Sequence, residues 1–132
     1  MTSTDAPHPF ADLLGISVTK AAAGEASGEL TLEEKLLNPH GVAHGGVVYA
    51  LADTVMGGAL RSKLSEEQSC ATLEIKITYF RPAFDGRLIC SASVDHCGKR
   101  IGHISARIEG GGKLIALATG NFVILPAPPE KR

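Results

Sequence analysis

The chain has 132 residues, 44% of them hydrophobic, which suits one globular domain around a single core. Its 13 Lys and Arg nearly cancel its 14 Asp and Glu. That balance offers no broad surface for nucleic acid or an anionic membrane, so an anionic partner must be met by a local basic cluster.

Residues 1–9 set Pro7 and Pro9 among polar neighbours and show neither a basic n-region nor an apolar h-region. They read as a tail, not a signal peptide. Residues 10–14 suggest one short helical turn stopped by Gly15. Two strand segments follow, 16–22 and 25–32, around Gly24. The second alternates Ala26, Gly28, Leu30 and Leu32 with Glu25, Ser27, Glu29 and Thr31. Residues 37–44 form a loop marked by Asn38-Pro39 and Gly41.

The longest element runs from 45 to about 63. Val47, Val48, Leu51, Ala52, Val55, Met56, Ala59 and Leu60 make it apolar almost all the way round, as in a buried helix. Gly45, Gly46, Gly57 and Gly58 lower its intrinsic propensity, by about 1 kcal/mol each in a helix interior. They make sense where backbone or a ligand approaches closely. Beyond the helix the period is two. Residues 72–80 alternate Leu73, Ile75, Ile77 and Tyr79 with Glu74, Lys76 and Thr78. Residues 87–94 place Leu88, Cys90, Ala92 and Val94 on one face. Residues 101–109 and 113–125 follow, joined across Gly110-Gly111-Gly112. Residues 126–132, with Pro126, Pro128 and Pro129, form a second tail, leaving one domain over 10–125.

These elements imply an α+β fold in which an antiparallel sheet wraps around one central helix. One helix covers only one face of such a sheet, so a homo-oligomer is expected. No apolar run approaches the roughly 18 residues needed to span a bilayer. Cys70, Cys90 and Cys97 cannot all pair and form no CxxC, which points to a reducing, cytoplasmic setting.

Chemistry concentrates in two places. Asp53 is the only ionisable side chain between His44 and Arg61, in an otherwise apolar helix. A carboxylate there is costly unless paired or functional. The helix is entered through Asn38-Pro39-His40-Gly41-Val42-Ala43-His44-Gly45-Gly46. Two glycines at a helix start leave free N–H groups at the positive dipole end, suited to a developing oxyanion. His40 and His44 are spaced like metal ligands, but Pro39 and Gly41 disfavour a helix between them and no further ligand pair follows, so no metal is expected. Cys90 reads as core. Neither GxSxG nor a Walker A motif is present.

The pattern Asn38-x-x-Gly41-x-x-His44-Gly45-Gly46, then Leu51-x-Asp53 and Gly57, resembles that of hotdog-fold acyl-CoA thioesterases of the phenylacetate-degradation type. These belong to the 4-hydroxybenzoyl-CoA thioesterase-like superfamily, and the human acyl-CoA thioesterase group looks similar. The likeness continues through Thr72, Ile77-Thr78-Tyr79-Phe80-Arg81-Pro82-Ala83 and Thr119-Gly120-Asn121-Phe122. The resemblance implies hydrolysis of an acyl or aryl-acyl thioester, with CoA as part of the substrate and no separate cofactor. Asp53 would be general base or nucleophile, and the Gly45 N–H would polarise the carbonyl. Thr72 would position the water or the carboxylate, although it falls on the polar parity of its strand. Asn38 and His44 would line the reaction centre. Gly46, Pro82 and the basic residues Arg81, Lys99 and Arg100 would meet the CoA moiety. The family also implies a homotetramer, a dimer of dimers with active sites shared between chains.

Two other functions fit the fold. A hydratase or dehydratase would need the Asp-x4-His pattern of those relatives, but Gly58 occupies the His position here. A non-catalytic acyl-CoA sensor usually carries a DNA-binding segment, and no basic stretch reads as one.

Overall fold

Residues 7–128 of the chain are described by a computed structural model. The tail expected over 1–9 and that over 126–132 fall largely outside the described residues. Six strands form one sheet in the order β1-β2-β4-β5-β6-β3, with every neighbouring pair antiparallel. They are β1 (Ser17–Ala22), β2 (Glu25–Thr31), β3 (Gln68–Tyr79), β4 (Arg87–Cys97), β5 (Ile101–Gly110) and β6 (Lys113–Pro126). The short helix α1 (Pro9–Leu14) is closed by Gly15, whose φ of 79° is one that glycine adopts without strain. A single 3-10 turn, Glu34–Leu36, precedes the long helix α2 (Gly45–Arg61).

The alternating sequences explain which face of the sheet turns inward. Leu30, Leu88, Cys90, Ile104, Ile108 and Phe122 are buried, and α2 lies across them. Leu51, Ala52, Val55, Met56, Ala59 and Leu60 of α2 have no solvent exposure at all. One helix held in a curved antiparallel sheet is the hotdog fold.

The close approach between helix and sheet is made by strand glycines. A Cβ on Gly28 would stand 2.6 Å from Val55 Cγ2 and 2.9 Å from the Ser17 carbonyl oxygen. A Cβ on Gly58 of the helix would meet only ordinary contacts, 3.6 Å from Val18 Cγ1. Gly28→Ala is therefore expected to overpack the interface and destabilise the fold by about 1–3 kcal/mol. Urea melts of the two proteins check this, and an unchanged midpoint would contradict it.

Several bounds differ from those expected. β3 begins at Gln68, pairing with Pro126, and β4 continues to Cys97. α2 ends at Arg61, and the C-cap residue Ser62 ties the helix end to the turn between β1 and β2. Its hydroxyl donates to the Ala59 carbonyl at 2.7 Å and accepts from the Gly24 N–H at 2.8 Å.

The largest correction lies inside β3. Its register against β6 shifts between Thr72 and Glu74, so Leu73 is an extra residue in a β-bulge. Cys70 and Thr72 oppose Ile124 and Phe122, while Ile75, Ile77 and Tyr79 oppose Gly120, Ala118 and Ala116. Thr72 thus shares the helix-facing side with Ile75, and Leu73, expected in the core, is 57% exposed. On the outer face, Asn121 donates to Glu74 at 2.8 Å and lies 2.8 Å from His103 Nδ1.

Candidate active site

The loop before α2 is built by Asn38. Its side-chain oxygen accepts from the N–H groups of His40 at 2.9 Å and Val42 at 3.4 Å. The expectation that Asn38 orients a substrate is narrowed by this: the oxygen is committed to the loop, and only the amide NH2 is left over. The Ala43 N–H donates to the Ala83 carbonyl at 2.8 Å, which ties the helix entrance to the segment carrying Arg81 and Pro82.

His44 is the N-cap residue of α2, with extended backbone, and its Nδ1 accepts the Gly46 N–H at 2.8 Å. A backbone N–H can only donate, so Nδ1 is the acceptor and the neutral ring carries its proton on Nε2. The N–H of Gly46, a residue expected to meet the CoA moiety, is taken up by this bond. The Gly45 N–H has no acceptor among the described residues and faces the helix entrance as the remaining donor of the first turn. Tyr79, which was not singled out from the sequence, donates its hydroxyl to the Gly45 carbonyl at 2.7 Å. That oxygen also stands 3.3 Å from where a Gly45 Cβ would lie. Burial, with a smaller contribution from Tyr49, pushes the Tyr79 phenol upward, so it stays a donor.

Asp53 lies mid-helix on the side nearest β3. Thr72 Oγ1 donates to Asp53 Oδ1 at 2.7 Å. The β3 bulge makes this contact, since regular alternation back from Ile75 would turn Thr72 outward. Asp53 Oδ2 has no hydrogen bond among the described residues. Asp53, Thr72, Gly57, Arg61, Cys70 and Phe122 line a cavity of about 320 Å³, closed on one side by α1. Asp53 is half-buried there, less enclosed than a helix apolar all the way round would make it. Arg61 and Cys70 are further residues not anticipated from sequence. Burial pushes the Cys70 thiol up, opposed by the Arg61 guanidinium and reinforced by Asp53.

Arg81 and Pro82 line a second groove of about 510 Å³ together with Phe84, Gly110 and Lys113. They also border a hollow of about 360 Å³ that leads to Gly45 and Tyr79. Lys113 is the cation near Arg81 that the sequence reading overlooked. Lys99 and Arg100 are elsewhere: they precede β5, whereas Gly110, at its far end, lines the Arg81 groove. A ten-residue strand separates the two basic groups by about 30 Å. Within one chain they do not form the single cluster expected.

Cys90 is buried and its thiol is pushed up to about 12, so it supplies no thiolate. Among the described residues, no group of three or more His, Cys, Asp or Glu could hold a metal ion. No helix there is long and apolar enough to cross a membrane.

The thioesterase superfamily profile matches residues 40–115, from the helix entrance to the start of β6. The chain belongs to the thioesterase superfamily. The acyl-coenzyme A thioesterase PaaI of Escherichia coli is 35% identical over 94 residues, 70% of this chain and 64% of that protein. A Halobacterium salinarum protein with the provisional name esterase VNG_1336C is 38% identical over 100 residues, 72% of this chain and 66% of its own length. Among solved structures, the conserved protein PA5202 from Pseudomonas aeruginosa superposes with a TM-score of 0.87 at 34% identity, covering 90% of this chain and 95% of that one. A mutant of the phenylacetic acid degradation protein PaaI from Thermus thermophilus gives 0.81 at 32% identity, covering 88% and 98%.

Proposed function

We propose that this protein hydrolyses acyl thioesters of coenzyme A to the free acid and CoA, with each active site shared between two copies of the chain. The observation that carries this reading is the Thr72–Asp53 hydrogen bond in a cavity beside the helix. Thr72 fixes one carboxylate oxygen and leaves Oδ2 to take a proton from water. The resulting hydroxide attacks the thioester carbon, and the Gly45 N–H receives the oxyanion of the tetrahedral intermediate. Collapse of that intermediate breaks the carbon–sulfur bond and releases the CoA thiolate, which takes up a proton. The membership of the chain in the thioesterase superfamily and its likeness to E. coli PaaI support this class of reaction. The test is a panel of acyl-CoAs of varied length and aromaticity, read by free-thiol release. No release from any of them would overturn the reading.

Pairing of two copies is supported by the sheet edge. β3 ends the sheet, and it is a 12-residue strand with one side of its backbone unpaired. A long unprotected edge invites a second strand. An identical β3 laid antiparallel on it would bring a second α2 beside the first. A dimer of such dimers is the assembly we expect.

Two substitutions separate positioning from binding. Thr72→Ala should lower kcat with little change in KM, because Thr72 orients a carboxylate and does not grip the substrate. Steady-state kinetics decide, and a pure KM effect would move Thr72 to the binding surface. Arg81→Ala or Lys113→Ala should instead raise KM for CoA esters by about tenfold, the loss of one charge-assisted contact to phosphate. Short thioesters without the nucleotide should be barely affected. Equal losses on both substrates would remove the phosphate role.

A further inference from the structure

Arg61 stands out as a cation that the reaction described above does not use. It follows Asp53 and Gly57 at four-residue spacing along one ridge of α2. Its guanidinium does not extend away from the helix end. The two terminal nitrogens lie 3.4 and 3.6 Å from where a Gly57 Cβ would be. The missing side chain at Gly57 lets the guanidinium fold back over the helix toward Asp53. It thereby borders the same cavity as Asp53 and Thr72, and it lies beside Cys70. Arg61 is half-buried, and no carboxylate among the described residues is within salt-bridge distance of it. A partly desolvated guanidinium without an anionic partner is costly, and its planar fork matches a carboxylate held by two parallel hydrogen bonds.

We infer that Arg61 binds a terminal carboxylate on the acyl group, so that the preferred substrates are CoA monothioesters of dicarboxylic acids. This rests on the thioesterase reading and narrows its substrate class. Distance supports the assignment. Gly57 lies one helical turn beyond Asp53, about 6 Å along the axis, which is the span of an extended dicarboxylic acyl group of about five or six carbons. The cavity of about 320 Å³ has room for such a chain. Phe122 supplies an apolar wall for its methylenes, and Arg61 is the only Lys or Arg among the described residues that line the cavity. The other anions of the substrate do not compete for this position. The pantetheine arm holds the CoA phosphates well beyond one helical turn from the thioester. The Arg61 charge also offsets the repulsion between the substrate carboxylate and Asp53, two like charges in one cavity.

The experiment compares adipyl-CoA with hexanoyl-CoA, equal in chain length and different in the terminal carboxylate. Free-thiol release gives kcat/KM for the wild type, Arg61→Met and Arg61→Lys, with thermal melts confirming that each is folded. The wild type should prefer adipyl-CoA by at least about tenfold, in keeping with a charge-assisted, bidentate contact. Arg61→Met should bring the ratio of the two to about one, and Arg61→Lys should leave it in between. The same pair as N-acetylcysteamine thioesters, which carry no phosphate, should keep the wild-type preference. Equal use of the two CoA esters by the wild type would overturn the inference while leaving the hydrolase reading intact. So would a ratio unchanged in folded Arg61→Met, or a preference lost when the nucleotide is removed, which would turn Arg61 toward phosphate. Thiol release from neither ester would overturn the hydrolase reading and this inference with it.

Discussion

Asp53→Asn should lower kcat for acyl-CoA hydrolysis by at least about a hundredfold, within the range expected when a general base is removed. The substitution keeps the side chain's shape. Thr72 Oγ1, now 2.7 Å from Oδ1, can still donate to the amide oxygen, so the helix and its contact with β3 should persist. What disappears is the free carboxylate oxygen, replaced by an NH2 that cannot accept a proton. Neighbouring groups do not replace it: the Cys70 thiol is raised by burial, and Arg61 is permanently charged. Thiol-release kinetics measure the loss, and circular dichroism with a thermal melt shows whether the variant is folded. Turnover at the wild-type rate by a folded Asp53→Asn protein would remove Asp53 from the reaction.

The second large effect is recovery of activity from two inactive parents. Gly45 and Asp53 sit on one continuous helix, eight residues apart, so their backbones are about 12 Å from each other. An oxyanion donor and a base must both come within about 3 Å of the reacting carbonyl or its water. An Asp side chain is too short to close that gap, so one helix does not supply both. A two-fold axis that sets the Gly45 end of one α2 against Asp53 of the other does. Gly45→Pro removes the proposed donor at a place that tolerates proline. It is the first residue of the helix, and His44 before it already has the extended φ of −60° and ψ of 133° that proline requires. The Tyr79 hydroxyl must give by a few tenths of an ångström. Gly45→Pro and Asp53→Asn should each be nearly inactive. After mixing and subunit exchange, each heterodimer should hold one site with donor and base intact, restoring up to about half the wild-type activity per dimer. If both parents are folded, exchange is demonstrated and the mixture stays inactive, the shared site is wrong.

How much of this was legible in the sequence depends on how local each signal is. The long helix and its carboxylate could be read directly, because an apolar run interrupted once by Asp53 needs no knowledge of neighbours. Strand identities followed from alternation in β2, β4 and the later part of β3. The side of the strand on which Thr72 lies did not, because a bulge changes parity without leaving a Gly or Pro behind as a marker. The cap at His44 was hidden for another reason: helix starts are usually recognised by Ser, Thr, Asp or Asn, and an imidazole acceptor lies outside that pattern. Lys113 reaches the Arg81 groove only through sheet topology, and Lys99 with Arg100 is excluded from it by the length of β5. Arg61 looked like an ordinary cation at a helix C-terminus, and only the packing over Gly57 shows which way it turns.

The extra residue in β3 also bears on how relatives should be aligned. Removing Leu73 would leave Cys70, Thr72, Ile75, Ile77 and Tyr79 in strict alternation, with the pairings of Thr72 to Phe122 and Glu74 to Asn121 unchanged. A family member one residue shorter in this region therefore needs its gap opposite Leu73, inside a strand, where alignment practice rarely allows one. A gap moved to the nearest loop would shift every position between by one. With the gap in the loop before β3, the hydroxyl neighbour of Asp53 in that relative would be matched to Leu73, and a retained hydroxyl–carboxylate pair would be scored as lost.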